Sequence, residues 1–154
     1  MNKKVFGRKL GRSRPAREAL FATLIKSMIL NGKIETTMAK AKAVQGDLEH
    51  MITLAKKADL SSRRRALAYL DNQKQATNLL FQQIGPFFKA RISGFTRITS
   101  LPARRGDNAK MAKIEWTEAV VISKKPVAIS KKIKQEKVVE TKKVAKKVKS
   151  KTSR

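Results

Sequence analysis

A surplus of 26 positive charges on 154 residues constrains this chain more than any other feature. A compact body with that charge repels itself unless a counter-charge comes from outside. The 37 Lys and Arg are also spread unevenly against the 11 Asp and Glu. Residues 1–17 carry seven basic side chains and no acid, residues 122–154 carry thirteen against Glu136 and Glu140, and the middle holds seventeen against nine. Only the middle is balanced enough to close a core, and its roughly one hundred residues suit one domain. The expected organisation is a basic N-terminal arm over 1–15, a globular domain over 16–121 and a Lys-rich extension over 122–154.

Clustered Lys and Arg at high pI are the electrostatic footprint of a nucleic-acid binder. Other classes fall away. The absence of cysteine removes disulfides and thiolate metal sites and suits a reducing cytosol. No apolar run approaches the ~20 residues needed to cross a bilayer. The first residues lack the apolar stretch of a secretory signal and read as a mature cytoplasmic terminus. His50 stands beside Glu49 with no second histidine to form a metal site or relay. Glu115 and Glu118 lie close in sequence but without a base. The glycines form neither a phosphate-binding loop nor a dinucleotide fingerprint. We therefore expect no enzyme, cofactor, metal or small-molecule substrate.

The middle reads as alternating helix and strand. Pro15 suits a first helical turn, and Leu20, Phe21, Leu24, Ile25, Met28 and Ile29 recur at helical spacing until Asn31-Gly32. Lys33–Thr37 alternates and predicts a short strand. A second helix is predicted over 38–57, with Ala41, Val44, Leu48, Met51, Ile52 and Ala55 on one face; Gly46 weakens it by about 1 kcal/mol relative to Ala. Ser61 or Ser62 is expected to cap a third helix, and Asp71 or Asn72 a fourth that Gly85-Pro86 closes. Beyond Ser93-Gly94 the period becomes twofold, predicting antiparallel strands over 95–101 and 111–117. The expected fold class is therefore α/β in the α+β sense: a two-layer domain with one early short strand, about four helices and a C-terminal β-hairpin.

Three basic constellations stand out. Gly7-Arg8-Lys9-Leu10-Gly11-Arg12-Ser13-Arg14 has the composition of an arm that threads between phosphates, because the guanidinium fork matches phosphate oxygens and glycine allows close backbone approach. Arg63-Arg64-Arg65 opens a helix and offers a phosphate patch. Arg104-Arg105-Gly106-Asp107 lies in a connector too long for a tight turn, with Asp107 placed to bond nearby backbone amides while the arginines project. Base stacking has little support, since only Tyr69, Phe95 and Trp116 are candidates near a suitable surface. The extension repeats Lys-Lys-aliphatic units without aromatics, so it is expected to be disordered when free and to order on a polyanion.

An ordered series of motifs runs along the chain: Gly7-Arg8-Lys9-Leu10-Gly11-Arg12, Arg17-x-Ala19-Leu20 and Gly32-Lys33-Ile34-Glu35-Thr36-Thr37-x-Ala39-Lys40-Ala41-Lys42. It continues through Ile52-Thr53-Leu54-Ala55-Lys56-Lys57, Arg64-x-Ala66-Leu67, Phe95-Thr96-Arg97-Ile98, Arg104-Arg105-Gly106-Asp107-x-Ala109 and Met111-Ala112. By this series the chain resembles the family of the seventeenth protein of the bacterial large ribosomal subunit. The family commonly begins Met-Arg-His and carries a histidine before the first helix. Here those places read Met1-Asn2-Lys3 and Pro15-Ala16, so contacts through those histidines are not carried over.

The resemblance implies a structural constituent of the large subunit, in the cytoplasmic ribosome. It would bind large-subunit (23S) ribosomal RNA and neighbouring large-subunit proteins near the polypeptide exit tunnel, with no membrane partner. By the same analogy, RNA contact is expected at Arg8, Lys9, Arg12, Arg14, Arg17, Arg63, Arg64, Arg97, Arg104, Arg105 and Lys113. The competing reading is a DNA-compacting nucleoid protein with a histone-like Lys tail, which would show non-specific duplex affinity in the isolated tail and no preference for ribosomal RNA. A membrane-surface peptide is a third reading, which the folded middle disfavours.

Overall fold

The computed structural model describes residues 7–118 and 120. The Lys-rich extension expected over 122–154 lies outside the described residues.

The first three elements fall where the apolar stripes place them. Helix α1 spans Arg14–Asn31, with Ser13 extended at its N-cap and Pro15 in its first turn. It ends in the left-handed Gly32 (φ 76°), whose amide donates to the Met28 carbonyl at 2.8 Å. That is the glycine terminator the sequence predicts. Strand β1 is Lys33–Thr37 and runs directly into α2, Met38–Lys57.

Helix α2 is the hub: it packs on α1, on α3 and on all three strands. Val44, Leu48, Met51, Ile52 and Ala55 are buried along it, against Ile25, Met28 and Ile29 of α1 in the same core.

The short helices depart from their expected caps. Helix α3, Leu60–Tyr69, is capped by Asp59 rather than Ser61 or Ser62. The Asp59 carboxylate accepts from the Ser61 amide at 3.3 Å and from the Ser61 hydroxyl. Those bonds hold its pKa below the ordinary range, the hydroxyl bond contributing most. Ser62, one residue further in, is buried instead. Asp71 and Asn72 do not cap the next helix either. Both are left-handed (φ 48° and 59°) and turn the chain out of α3, with the Asn72 amide donating to the Leu67 carbonyl at 2.9 Å. Asp71 is fixed by Lys26 of α1, whose Nζ lies 2.5 Å from its carboxylate.

Gly85-Pro86 does not close a helix as expected. One helical run continues from α4 (Lys74–Leu79) through a π turn (Leu80–Ile84) into α5 (Gly85–Phe87). A proline inside an α-helix lacks a donor and crowds the carbonyl four residues back. The wide turn relieves this: the Gly85 amide donates five residues back to Leu80, and the four-residue spacing resumes at Phe88, which bonds Ile84. Gly85 is helical, and glycine is needed for proximity: a Cβ there would stand 2.9 Å from the Ala55 carbonyl oxygen of α2.

Strands β2 (Thr96–Leu101) and β3 (Met111–Trp116) complete a three-stranded antiparallel sheet of order β1-β3-β2. Register places Ile34, Ile114 and Ile98 in one row and Thr36, Ala112 and Ser100 in the next. The inner positions of β3, Ala112, Ile114 and Trp116, are buried. The result is the expected α+β arrangement, helices on one face of a small sheet.

Phe95, a candidate stacking surface, is instead core. It is buried with its ring centroid 5.4 Å from Phe88, which in turn lies 5.9 Å from Trp116. Trp116 is buried as well. Tyr69 is half-buried and donates to Asp47 at 3.0 Å; burial first, then the Asp47 charge, raises its pKa.

Candidate nucleic-acid interface

The expected RNA-facing residues occupy three exposed regions and the outer face of the sheet. In the arm, Leu10 and Gly11 are both left-handed (φ 53° and 63°) and form a tight turn closed by the Arg12 amide on the Lys9 carbonyl at 3.1 Å. Arg8, Lys9 and Arg12 are exposed around it. Arg14 and Arg17 belong to the first turn of α1. Arg14 is bound to Glu18 at 2.8 Å, and Arg17 reaches back to the Arg12 carbonyl at 3.4 Å. At 84% and 63% exposure the Arg14–Glu18 pair contributes little stability, but it takes up one of the arm's guanidinium faces.

The α3 cluster divides. Arg63 donates to Asn78 at 2.5 Å with its guanidinium 5.9 Å from the Phe81 ring centroid, so it braces α3 against α4 and the π turn. Arg64 projects into solvent, and so does Arg65, a cation outside the expected set. Consecutive helical residues point about a third of a turn apart, so one anchored arginine leaves the other two fanned outward.

The outer sheet face is nearly charge-balanced, an outcome a strand-by-strand reading does not reveal. Register aligns Lys33, Glu115 and Arg97 across the strands, and beside them Glu35, Lys113 and Thr99. Lys113 Nζ lies 2.6 Å from Glu115, which lowers the Glu115 pKa. Of the two expected contacts here, Lys113 is engaged by an acid, and Arg97 is exposed opposite the same acid. Cross-strand pairs of this kind stabilise a sheet and leave little net field for phosphate.

The β2–β3 loop, residues 102–110, carries the third cluster. Arg104 meets Asp107 through Nε at 3.2 Å and Nη2 at 2.6 Å, whereas Arg105 is exposed at the turn. Asp107 also accepts from the Ala109 amide at 3.3 Å, the backbone bond expected of it. The Arg104 contact first, with this amide second, holds the Asp107 carboxyl down at about 2.

Elsewhere, a shallow cleft of about 310 Å³ is lined by Asn31, Lys33, Trp116 and both Glu115 and Glu118. Its two carboxylates make it a poor phosphate site. His50 is exposed on α2, and no group of three or more His, Cys, Asp or Glu among the described residues is placed to hold a metal. No helix among them is long and apolar enough to cross a membrane.

These features define a class: a small basic α+β domain that displays cations from an arm, a helix and a loop. A family profile described as Ribosomal protein L17 matches residues 20–117. The chain is 46% identical over 111 residues to the large ribosomal subunit protein bL17 of Finegoldia magna, covering 72% of this chain and 84% of that one. It is 49% identical over 107 residues to bL17 of Symbiobacterium thermophilum (70% and 94%), and 44% identical over 119 residues to bL17 of Persephonella marina (77% and 96%). The chain belongs to the ribosomal protein L17 family. It is accordingly a structural, non-enzymatic constituent of the large ribosomal subunit, and its place is the cytoplasmic ribosome. The profile match begins after the arm and ends before the Lys-rich extension.

Proposed function

We propose that this chain binds large-subunit ribosomal RNA beside the polypeptide exit tunnel, with its arm, α3 and the β2–β3 loop as the phosphate-facing elements. The observation that carries this is the surplus of exposed cations on those elements, in a chain whose family builds the large subunit. Arg8, Lys9, Arg12, Arg64 and Arg105 are the principal contacts. Arg97 contributes from the sheet face opposite Glu115, and Arg14, Arg17, Arg63, Arg104 and Lys113 contribute while held by other protein groups. The chain divides into arm (1–15), domain (16–121) and extension (122–154), with the cationic excess densest in the first and last. Neighbouring large-subunit proteins pack around the same elements near the tunnel, and the extension neutralises phosphate on the assembled particle.

Sedimentation of lysate at moderate and high salt is the first test. Co-migration with the large subunit at both salts supports an integral RNA-bound constituent. Loss from every particle as salt rises, or migration with DNA, refutes it. Hydroxyl-radical footprints from probes tethered at residues 8 and 105 then test the location. The expected cleavages fall in ribosomal RNA lining the tunnel exit, and cleavages confined elsewhere refute that position.

A further inference from the structure

The β2–β3 loop is exposed, yet it is built rigidly. The Arg104 amide donates to the Ala109 carbonyl at 3.0 Å, closing residues 104–109 on themselves. Asp107 braces that closure from inside, bonding the Arg104 guanidinium at two atoms and the Ala109 amide at a third. Gly106 (φ 102°) and Asn108 (φ 50°) supply the left-handed turns that wrap the chain around it. The loop's return is anchored too, since the Lys110 carbonyl accepts the Met38 amide at the start of α2 at 2.9 Å. Two of the Arg104 donor atoms are thereby committed to Asp107, although both side chains stay exposed. Arg105, the next residue, is exposed, and no ion pair engages it among the described residues.

We infer that Asp107 is a positioning residue for RNA: it commits Arg104 to bracing the loop, so that Arg105 is presented to a backbone phosphate in a preset geometry. This rests on the RNA-binding reading above and sharpens it, for it makes Arg104 an internal brace and Arg105 the contact. The inference runs against simple charge counting. A carboxylate in a phosphate-facing loop has the wrong sign, and removing it adds one net positive charge and frees a second arginine. If charge alone matters, Asp107→Ala binds RNA as well as the natural chain or better. If positioning matters, the loop must be ordered at the moment of binding and affinity falls.

The test uses the full chain and in-vitro-transcribed large-subunit ribosomal RNA, with bulk transfer RNA as competitor, in filter binding across a salt series. Arg105→Ala is expected to weaken binding and to make the log–log salt slope shallower by up to about 0.9. Asp107→Ala and Arg104→Ala are each expected to weaken binding about three- to tenfold with unchanged thermal melting. The double variant should be no worse than either single one, because the two residues act as a unit. Asp107→Asn, which keeps an acceptor for the Ala109 amide, should fall between. Binding by Asp107→Ala as tight as or tighter than the natural chain overturns the inference, as does additivity in the double variant. A second readout needs no RNA: amide exchange at Ala109 should accelerate in Asp107→Ala, and unchanged exchange also overturns the brace. If the natural chain shows no preference for ribosomal over transfer RNA, the RNA-binding reading has failed. Preferential binding that Asp107→Ala leaves intact sinks the brace alone.

Discussion

The seam between α2 and α5 and the β2–β3 loop are both tightly defined, and opposite physics defines them. The seam is closed by volume: Gly85 is buried against the Ala55 backbone, and Ile52, Leu80 and Ile84 are fully buried in the same core. The loop is closed by charge, with one exposed carboxylate joining a guanidinium to a backbone amide. Shape held by volume should respond to a methylene and ignore salt and pH. Shape held by charge should respond to salt and pH and hardly register in global stability. On the RNA-binding reading proposed above, the first gives a fixed body and the second a presented cation.

The largest effects should come from the seam side. Ile52→Ala leaves a cavity beneath α2 and should cost about 2–5 kcal/mol in urea unfolding. Gly85→Ala forces a methyl to 2.9 Å from the Ala55 carbonyl, and overpacking of this kind should cost about 1–3 kcal/mol. Both losses should be equal at low and high salt. A salt-dependent loss would mean that charge, not volume, sets the seam.

Gly46 sharpens the contrast, being a second helical glycine with nothing within 4 Å of its added Cβ. Gly46→Ala should stabilise the chain by about 0.4–1 kcal/mol in the same measurement, by narrowing the unfolded ensemble. Opposite signs at 46 and 85 would show that proximity, not helicity, decides whether glycine is required. Destabilisation at both would contradict it.

The same division explains what the sequence reveals. β1 and α2 have the bounds their patterns predict, because a long apolar stripe and a strict alternation are each set by many residues at once. Short helices are set by one cap, and several residues compete for it. Asp59, Ser61 and Ser62 are all good N-caps, and Asp71-Asn72 suits a cap or a left-handed turn equally. Lys26, 45 positions from Asp71, helps fix that turn, and no local pattern contains it. Gly85-Pro86 has the signature of a terminator, and its true role depends on Ala55, thirty positions away. The site is legible in the same partial way. Composition marks the cationic clusters, and the i,i+4 spacing of Arg14 and Glu18 suggests their pairing. The anchoring of Arg63 by Asn78 and Phe81 is long-range, and so is the Arg91–Glu118 pair. Which cations remain free therefore emerges only from the fold.

The smallest expected effect lies in the loop, and pH isolates it. The Arg104 contact and the Ala109 amide hold the Asp107 carboxyl near pH 2 in the folded chain, below the ~3.9 of an unfolded aspartate. A depressed folded value means that the contribution is fully present above the unfolded value and is lost as pH falls through about 2. From pH 5 to 8 the brace should therefore be constant. In an NMR titration the Asp107 side-chain carboxyl carbon should move with a midpoint of about 2 in the natural chain. In Arg104→Ala, which removes the largest cause, the midpoint should rise toward the ordinary value. High salt should shift the natural midpoint part of the way in the same direction, because the pair is exposed and screened. Melting should stay where it was, since exposed pairs contribute little to global stability. A midpoint that matches in both chains would show that Arg104 does not hold Asp107 in solution, and the contrast between volume and charge would then lose its charged half.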